Sequence, residues 1–216
     1  MNTVKIDKKN CRMIAHRGVS GLEKENTCAA FVAAGVKTYY GIETDVHVTA
    51  DGEYFIFHDD NMKRIAGVDM DIERSTAEQL RAVRMPDTDG KTFRSDLVVP
   101  ALKDYISICG KYDKTAVLEL KNPMERKHVL NIAALVKDMG WLDRTIFISF
   151  AKENLVTLRE EYKDADLQFL TGEASDENFE FMKRYRLGAD LCGTCVSKEY
   201  VLSLIHISEP TRLALI

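Results

Sequence analysis

Short apolar segments alternate with amphipathic helical segments along most of the chain, and this order constrains the fold more than any other feature. The strand candidates, rich in Val, Ile, Leu or Phe, are Arg12–Arg17, Ile42–Val48, Tyr54–His58, Ala116–Lys121, Thr145–Phe150, Leu167–Thr171 and Ala189–Cys195. The helix candidates, with apolar residues three and four positions apart, are Glu25–Ala34, Ser75–Val83, Leu102–Cys109, Glu125–Met139, Glu153–Tyr162 and Asp176–Tyr185. Ser75 and Glu78 fit a capping box, and Gly140 fits a helix stop. Repeated strand-then-helix order predicts a parallel sheet covered by helices.

One connection breaks this order. Only five residues separate Val48 from Tyr54, and Asp51-Gly52 lies in the middle of them. A parallel crossover needs a dozen residues or more, whereas Asp-Gly between apolar segments is a strong signal for a tight turn. We therefore expect a local β-hairpin over residues 42–58.

The first strand of this hairpin carries its polar side chains on one face. Because side chains alternate between the two faces of a strand, Glu43, Asp45 and His47 share a face and the aliphatic residues take the other. Folding about the Asp-Gly turn sets Thr44 opposite His58. The pattern therefore predicts that His58 lies beside the two acids.

Two further strands bring charged residues to the same edge of the sheet. Glu119 and Lys121 alternate with leucine, and His16 and Arg17 end the first strand. The carboxyl edge of a parallel sheet is where active sites are built. Taken singly, each acid also fits a salt-bridged rim residue, and each histidine a satisfied core group. Burying this much charge together is costly without a metal or ligand, and carboxylate oxygens suit Mg²⁺ or Ca²⁺.

The overall charge excludes one class of function. The 216 residues carry a formal net charge of -4, with a pI near 5.8, so the chain lacks the basic character of a dedicated nucleic-acid or anionic-membrane binder. A small anionic substrate stays compatible, because a pocket can be locally positive. No apolar segment follows the charged N-terminus, so we expect neither a signal peptide nor a stable membrane anchor, and a cytoplasmic protein.

The five cysteines are an odd number scattered through the chain, which fits reduced thiols better than a disulfide framework. Cys192 and Cys195 form a C-x-x-C pair. A zinc site would need further ligands, and a redox motif would open a helix early in a thioredoxin-like unit. We interpret the pair as small packing residues in a late strand.

An ordered set of short motifs resembles the glycerophosphodiester phosphodiesterase family. The motifs are His16-Arg17-Gly18, Glu25-Asn26-Thr27, Glu43-x-Asp45, His58-Asp59 and Glu119-x-Lys121. The resemblance extends over residues 12–196. The family usually has proline where Lys24 stands, and we expect this difference to change only the loop entry. The resemblance implies an α/β fold of the TIM (β/α)8-barrel type and hydrolysis of a small-molecule glycerophosphodiester to glycerol 3-phosphate and an alcohol.

The resemblance also assigns the central residues of the site. It implies one divalent cation, Mg²⁺ or Ca²⁺, bound by Glu43, Asp45 and Glu119, which acts as a Lewis acid. It implies His16 and His58 as the catalytic residues. An imidazole with an ordinary pKa near ~6.5 can serve as acid or base at neutral pH.

Other charged residues receive supporting roles on the same basis. Arg17 offers a bidentate guanidinium and Lys121 a point charge to the substrate phosphate. We expect Glu25 to orient Arg17 or His16 without itself contacting the substrate or the metal. We expect His47 to line the barrel rather than to bind a ligand.

Two other functions stay open from the sequence. One is a related phosphodiesterase of phospholipase D-like or cyclising type, which would release a cyclic phosphate. The other is a non-catalytic fragment that binds phosphate or a metal. The alcohol of the substrate depends on loops, and we expect the insertion from Asp60 to Arg74 to select it.

The end of the sequence predicts an incomplete barrel. A (β/α)8 barrel typically needs ~250 residues, and the family's last strand carries a Trp-Thr-Val-Asn signature that this sequence lacks. From Leu202 the sequence resembles a translated sequencing adapter. We therefore expect a barrel domain over residues 1–201 that lacks its last strand-helix unit, and a non-native tail over residues 202–216.

Overall fold

The computed structural model describes residues 11–173, 175–191 and 213–215. The strands are β1 (Ile14–Ala15), β2 (Gly41–Val48), β3 (Tyr54–Ile56), β4 (Thr115–Leu120), β5 (Thr145–Ser149), β6 (Asp166–Thr171), β7 (Gly188–Leu191) and β8 (Leu213–Leu215). The helices are α1 (Cys28–Gly35), α2 (Lys63–Ala66), α3 (Ala77–Ala82), α4 (Leu102–Lys111), α5 (Arg126–Asp138), α6 (Lys152–Glu161) and α7 (Asp176–Tyr185), with a 3-10 turn over Leu142–Arg144. None of the helices in these ranges is long and apolar enough to cross a bilayer.

The strands form one curled sheet. Its order is β1-β2-β4-β5-β6-β7-β8, with all of these neighbours parallel, and β3 pairs antiparallel with β2. The sheet and its helices make a half-barrel, which confirms the predicted α/β barrel in an incomplete form. Among the described strands β1 and β8 do not pair, so the sheet stays open between them.

The two faces of the sheet bury different side chains. Leu118 and Phe147 are fully buried on the outer face and join the main core, which also includes Tyr105 of α4. A smaller apolar cluster that includes Val117 and Ile148 lies on the inner face. Because the apolar cluster on the inner face is small, polar side chains can occupy the rest of it.

The predicted hairpin is present with the predicted register. Val46 pairs with Ile56, and Val48 pairs with Tyr54. Continued by two residues, this pairing sets Thr44 opposite His58, as the position of the Asp-Gly turn predicted. The hairpin therefore brings His58 back towards the acids of β2.

The segment between β3 and α4 has a hydrophobic core of its own. Phe55, Met62, Leu80 and Leu97 belong to a buried cluster that is separate from the core behind the sheet. The segment over residues 55–99 is therefore a packed insertion. It is larger than the sequence predicted, and it contains the short helix α2, which the sequence analysis missed.

Several predicted element ends need correction, and two of them show the physical reason. The first strand covers only Ile14–Ala15, because the chain turns at Arg17, whose φ is +52°. The capping box of α3 is built on Thr76 and Gln79 rather than on Ser75 and Glu78. Thr76 has extended backbone angles, which are the geometry of an N-cap.

The C-terminal part of the chain is described only in strand β8. Ala189 pairs with Leu213, which places β8 parallel to β7 within the tail that was predicted to be non-native. Cys192 and Cys195 lie outside the described residues, and the domain boundary after residue 201 stays a prediction. Of the described cysteines, Cys11, Cys28 and Cys109 are free thiols.

Candidate active site

Three acidic side chains meet on the inner face of the curled sheet. Glu43 and Asp45 lie on β2, and Glu119 lies on β4 directly opposite Asp45. One carboxylate oxygen from each residue lies within 4.8 Å of the others, and the most exposed of the three residues is only 6% exposed. Oxygens on opposite sides of a calcium ion are about 4.8 Å apart, and around magnesium about 4.2 Å. The spacing therefore fits one divalent cation.

The electrostatics of this acidic trio also fit a cation. Burial, followed by the nearby charge of Asp45, raises the pKa of Glu119 to about 7. The same two causes raise the pKa of Glu43 well above its ordinary value. Asp45 Oδ1 has no hydrogen-bond donor among the described residues. A bound divalent cation would offset the repulsion and supply the missing contact, so these residues could hold one.

Lys121 lies beside the trio, immediately after β4. Its Nζ is 3.0 Å from Glu119 Oε1 and 3.6 Å from Asp45 Oδ1, and its side chain is 14% exposed. The ammonium balances part of the acidic charge. It also stands at the carboxyl edge of the sheet, where an anionic group can meet it.

The turn after β1 brings His16 and Arg17 to the trio. The positive φ of Arg17 directs its backbone N–H at Glu43 Oε2, to which it donates at 2.8 Å. His16 Nε2 lies 3.8 Å from the same oxygen, and the His16 side chain is half exposed. Burial and then the Arg17 guanidinium lower the pKa of His16, which favours its neutral form near pH 7. A strained turn thus places an imidazole and a guanidinium at the edge of the trio.

His58 enters the site at the end of the hairpin and is held by its neighbour. His58 Nδ1 is 2.7 Å from Asp59 Oδ1, and Nε2 has no hydrogen-bond partner within the described part of the chain. The side chain is 31% exposed. His58 and His16 lie close enough to influence each other electrostatically.

Two carboxylates at this edge share one arginine. Glu25 Oε1 accepts a hydrogen bond from Arg17 Nη1 at 2.9 Å. Of the two residues that Glu25 was predicted to orient, Arg17 is therefore the one that it contacts. Arg64 of α2 donates both to Glu25 and to Asp59. No motif at the sequence level pointed to Arg64, since only folding brings α2 to the turn after β1.

His47 points to the same face as the acids but contacts the insertion. It is fully buried, and its Nδ1 lies 3.1 Å from Glu73 Oε1, which also accepts a hydrogen bond from Asn122. Glu73 lines a cavity of about 580 Å³ between the hairpin turn and the start of α5. The role of His47 in lining the barrel stays a prediction.

Asn26 is a residue of the site to which the sequence analysis gave no role. It is 2% exposed, it has a φ of +53°, and its Nδ2 donates to Asp45 Oδ2 at 2.8 Å. Thr44 Oγ1 in turn donates to Asn26 Oδ1 at 2.7 Å. The amide therefore fixes one oxygen of Asp45 and leaves Oδ1 for another partner. The position of Asn26 in the Glu-Asn-Thr motif is the sequence signal that could have identified it as a site residue.

We expect Asn26→Ala to weaken divalent metal binding by roughly 10- to 100-fold, since partners that orient a metal ligand usually contribute this much. Calorimetric titration with Mg²⁺ and Ca²⁺ measures the effect. Asn131→Ala, a change at an exposed position of α5, is the matched control. Equal metal affinity of Asn26→Ala and the control would contradict the role of Asn26.

The fold and the site together define a class of protein: a parallel α/β half-barrel with a candidate divalent-metal site at the carboxyl edge of its strands. The model of the glycerophosphoryl diester phosphodiesterase family matches residues 16–190. The chain belongs to this family. The match covers every residue that the sequence analysis assigned to the site.

Individual relatives agree with this assignment. A glycerophosphodiester phosphodiesterase of Caldanaerobacter subterraneus is 29% identical over 71% of this chain. The chain spans 62% of the length of that relative, and 60% of two other bacterial relatives.

Solved structures also resemble the chain. A glycerophosphodiester phosphodiesterase of Thermotoga maritima is 26% identical, with a TM-score of 0.74 over 95% of this chain and 84% of that one. An Oleispira antarctica phosphodiesterase in complex with the product sn-glycerol-3-phosphate is 21% identical, and it supports the fold with a TM-score of 0.84 over 95% and 84% of the two chains.

Proposed function

We propose that this protein is a metal-dependent phosphodiesterase that hydrolyses a glycerophosphodiester to glycerol 3-phosphate and an alcohol. The observation that carries the proposal is the buried acidic trio, with His16 beside it and His58 close enough to His16 to influence it electrostatically. Family membership and the product bound by the Oleispira antarctica enzyme support the choice of substrate class.

The proposed metal ligands are Glu43, Asp45 and Glu119, which would hold Mg²⁺ or Ca²⁺. When bound, the cation supplies positive charge for the phosphate oxygens and orients the substrate. The hard carboxylate oxygens of these three residues are ligands that suit either ion. Comparing turnover in Mg²⁺ with turnover in Ca²⁺ decides between the two.

The remaining residues act on the phosphodiester itself. Arg17 and Lys121 bind its anionic oxygens, and Glu25 holds the Arg17 guanidinium in place. Water attacks phosphorus as the bond from phosphorus to the alcohol oxygen breaks. His16 and His58 share the two proton transfers, one taking the proton from water and the other giving a proton to the departing alcohol.

Turnover of glycerophosphocholine, followed by phosphorus NMR, tests the proposal. We expect glycerol phosphate as the product, with activity lost in EDTA and restored by one of the two cations. A cyclic phosphate would instead identify a cyclising enzyme. Metal-independent turnover would overturn the proposed ligands, and binding without any product would identify a non-catalytic fragment.

A further inference from the structure

Arg64 makes more hydrogen bonds to acidic side chains at this edge than any other described residue. Its Nε donates to Asp59 Oδ2 at 2.6 Å and its Nη2 to Asp59 Oδ1 at 2.9 Å. Its Nη1 donates to Glu25 Oε2 at 3.1 Å and its Nη2 to Glu25 Oε1 at 2.8 Å. One planar guanidinium thus binds two carboxylates, each through both oxygens.

Each of these carboxylates holds a residue of the proposed catalytic machinery. Asp59 Oδ1 is 2.7 Å from His58 Nδ1, and Glu25 Oε1 accepts from Arg17 Nη1 at 2.9 Å. Arg64 is therefore one contact away from a proton-transferring imidazole and one contact away from a phosphate-binding guanidinium.

We propose that Arg64 is a positioning residue that fixes His58 through Asp59 and Arg17 through Glu25, and so couples the proton-transfer group to the phosphate-binding group. The inference rests on the proposed function, because it concerns the same site. Without Arg64, Glu25 would keep only Arg17 as a partner among the residues that the structure describes, and Asp59 only His58. The two carboxylates would then repel each other, and each could shift from the position in which it orients its partner.

Charge gives a second reason for this role. Arg17 and Arg64 together balance Glu25 and Asp59, so the four side chains have no net charge. Removing Arg64 would leave one negative charge beside the position of an anionic substrate. The hydrogen bond from Arg64 is also the first cause of the low pKa of Asp59, about 2, which keeps Asp59 ionised as an acceptor for His58.

A lysine cannot replace this arrangement. An ammonium is a compact point charge, whereas the guanidinium fork matches two carboxylates in fixed directions. The Arg64 side chain is 49% exposed, so its removal leaves a space that solvent and small cations can reach. This exposure makes chemical rescue by guanidinium possible.

The test compares Arg64→Ala and Arg64→Lys with Arg74→Ala in the full chain. Arg74 lies in the same insertion, and its side chain is 87% exposed. With glycerophosphocholine we expect kcat to fall by roughly 10- to 100-fold in Arg64→Ala and by less in Arg64→Lys. We also expect KM to rise in Arg64→Ala only. Guanidinium at low millimolar concentration should restore part of the activity of Arg64→Ala and none of that of Arg64→Lys.

A second measurement does not depend on turnover. Ring nitrogen NMR of His58 at pH 8.5 reports which nitrogen carries the proton, and we expect a single Nδ1–H form in wild type and in Arg74→Ala. Arg64→Ala should show a mixture of the two forms. Unchanged His58 signals in Arg64→Ala would overturn the positioning role. So would wild-type kcat and KM in Arg64→Ala if the only change were a lower melting temperature. An inactive wild type whose His58 signals respond to Arg64→Ala would instead count against the proposed function alone.

Discussion

Replacing His58 with alanine is expected to lower kcat for glycerophosphocholine hydrolysis by about 10²- to 10⁴-fold. In the proposed mechanism the imidazole moves a proton in the transition state, whereas Arg17 and Lys121 hold the phosphate in the ground state as well. KM should therefore change far less than kcat. Steady-state kinetics at saturating metal measure both quantities.

His128→Ala is the matched control for this result. His128 is a partly buried histidine of α5, and it contacts Tyr54 rather than the acidic trio. It should keep the wild-type kcat. Full activity in His58→Ala would remove His58 from the proposed mechanism, and an equal loss in both variants would point to a general defect in folding.

Asp45→Asn should abolish stabilisation by divalent metal and lower turnover by at least about 10³-fold, since a cation commonly supplies several kcal/mol to such a reaction. Without metal the variant should melt no lower than wild type. Asparagine removes one of three crowded charges, so the pKa values of Glu43 and Glu119 should fall towards their ordinary range.

Thermal unfolding with and without metal checks this prediction. Wild type should gain about 2.7 kcal/mol when the free metal is a hundredfold above its Kd. Asp190→Asn is the control, because Asp190 is a buried aspartate of β7 outside the acidic trio, and burial raises its pKa to about 7. A normal metal response in Asp45→Asn would refute the assigned ligand set.

The parts of the site that follow strand periodicity could be predicted from the sequence. Glu43 and Asp45 had to share a face, and the hairpin turn fixed where His58 returns. Glu119 joined them because parallel pairing aligns the carboxyl ends of β2 and β4. The positions of these residues follow from the local geometry of strands and turns, or from the order of neighbouring strands.

The contacts made by Asn26 and Arg64 could not be predicted in this way. Asn26 reaches Asp45 from a loop with a positive φ, and Arg64 reaches Glu25 across 39 positions of sequence. Neither contact follows from the period of a strand or helix. The insertion was also underestimated, because its core joins short segments such as α2 that carry little periodicity of their own.

The hairpin register has a consequence for the order in which the site assembles. Glu43, Asp45 and His58 lie within one short stretch of chain, so closing the hairpin costs little loop entropy. Glu119 joins them only when β4 pairs with β2, after a much longer loop has closed. Until that step the first two acids can remain hydrated, and their repulsion with Glu119 arises only as the sheet is completed. A divalent cation bound by the three acids would therefore favour the pairing of β4 with β2, so the proposed cofactor would also stabilise the sheet as it closes.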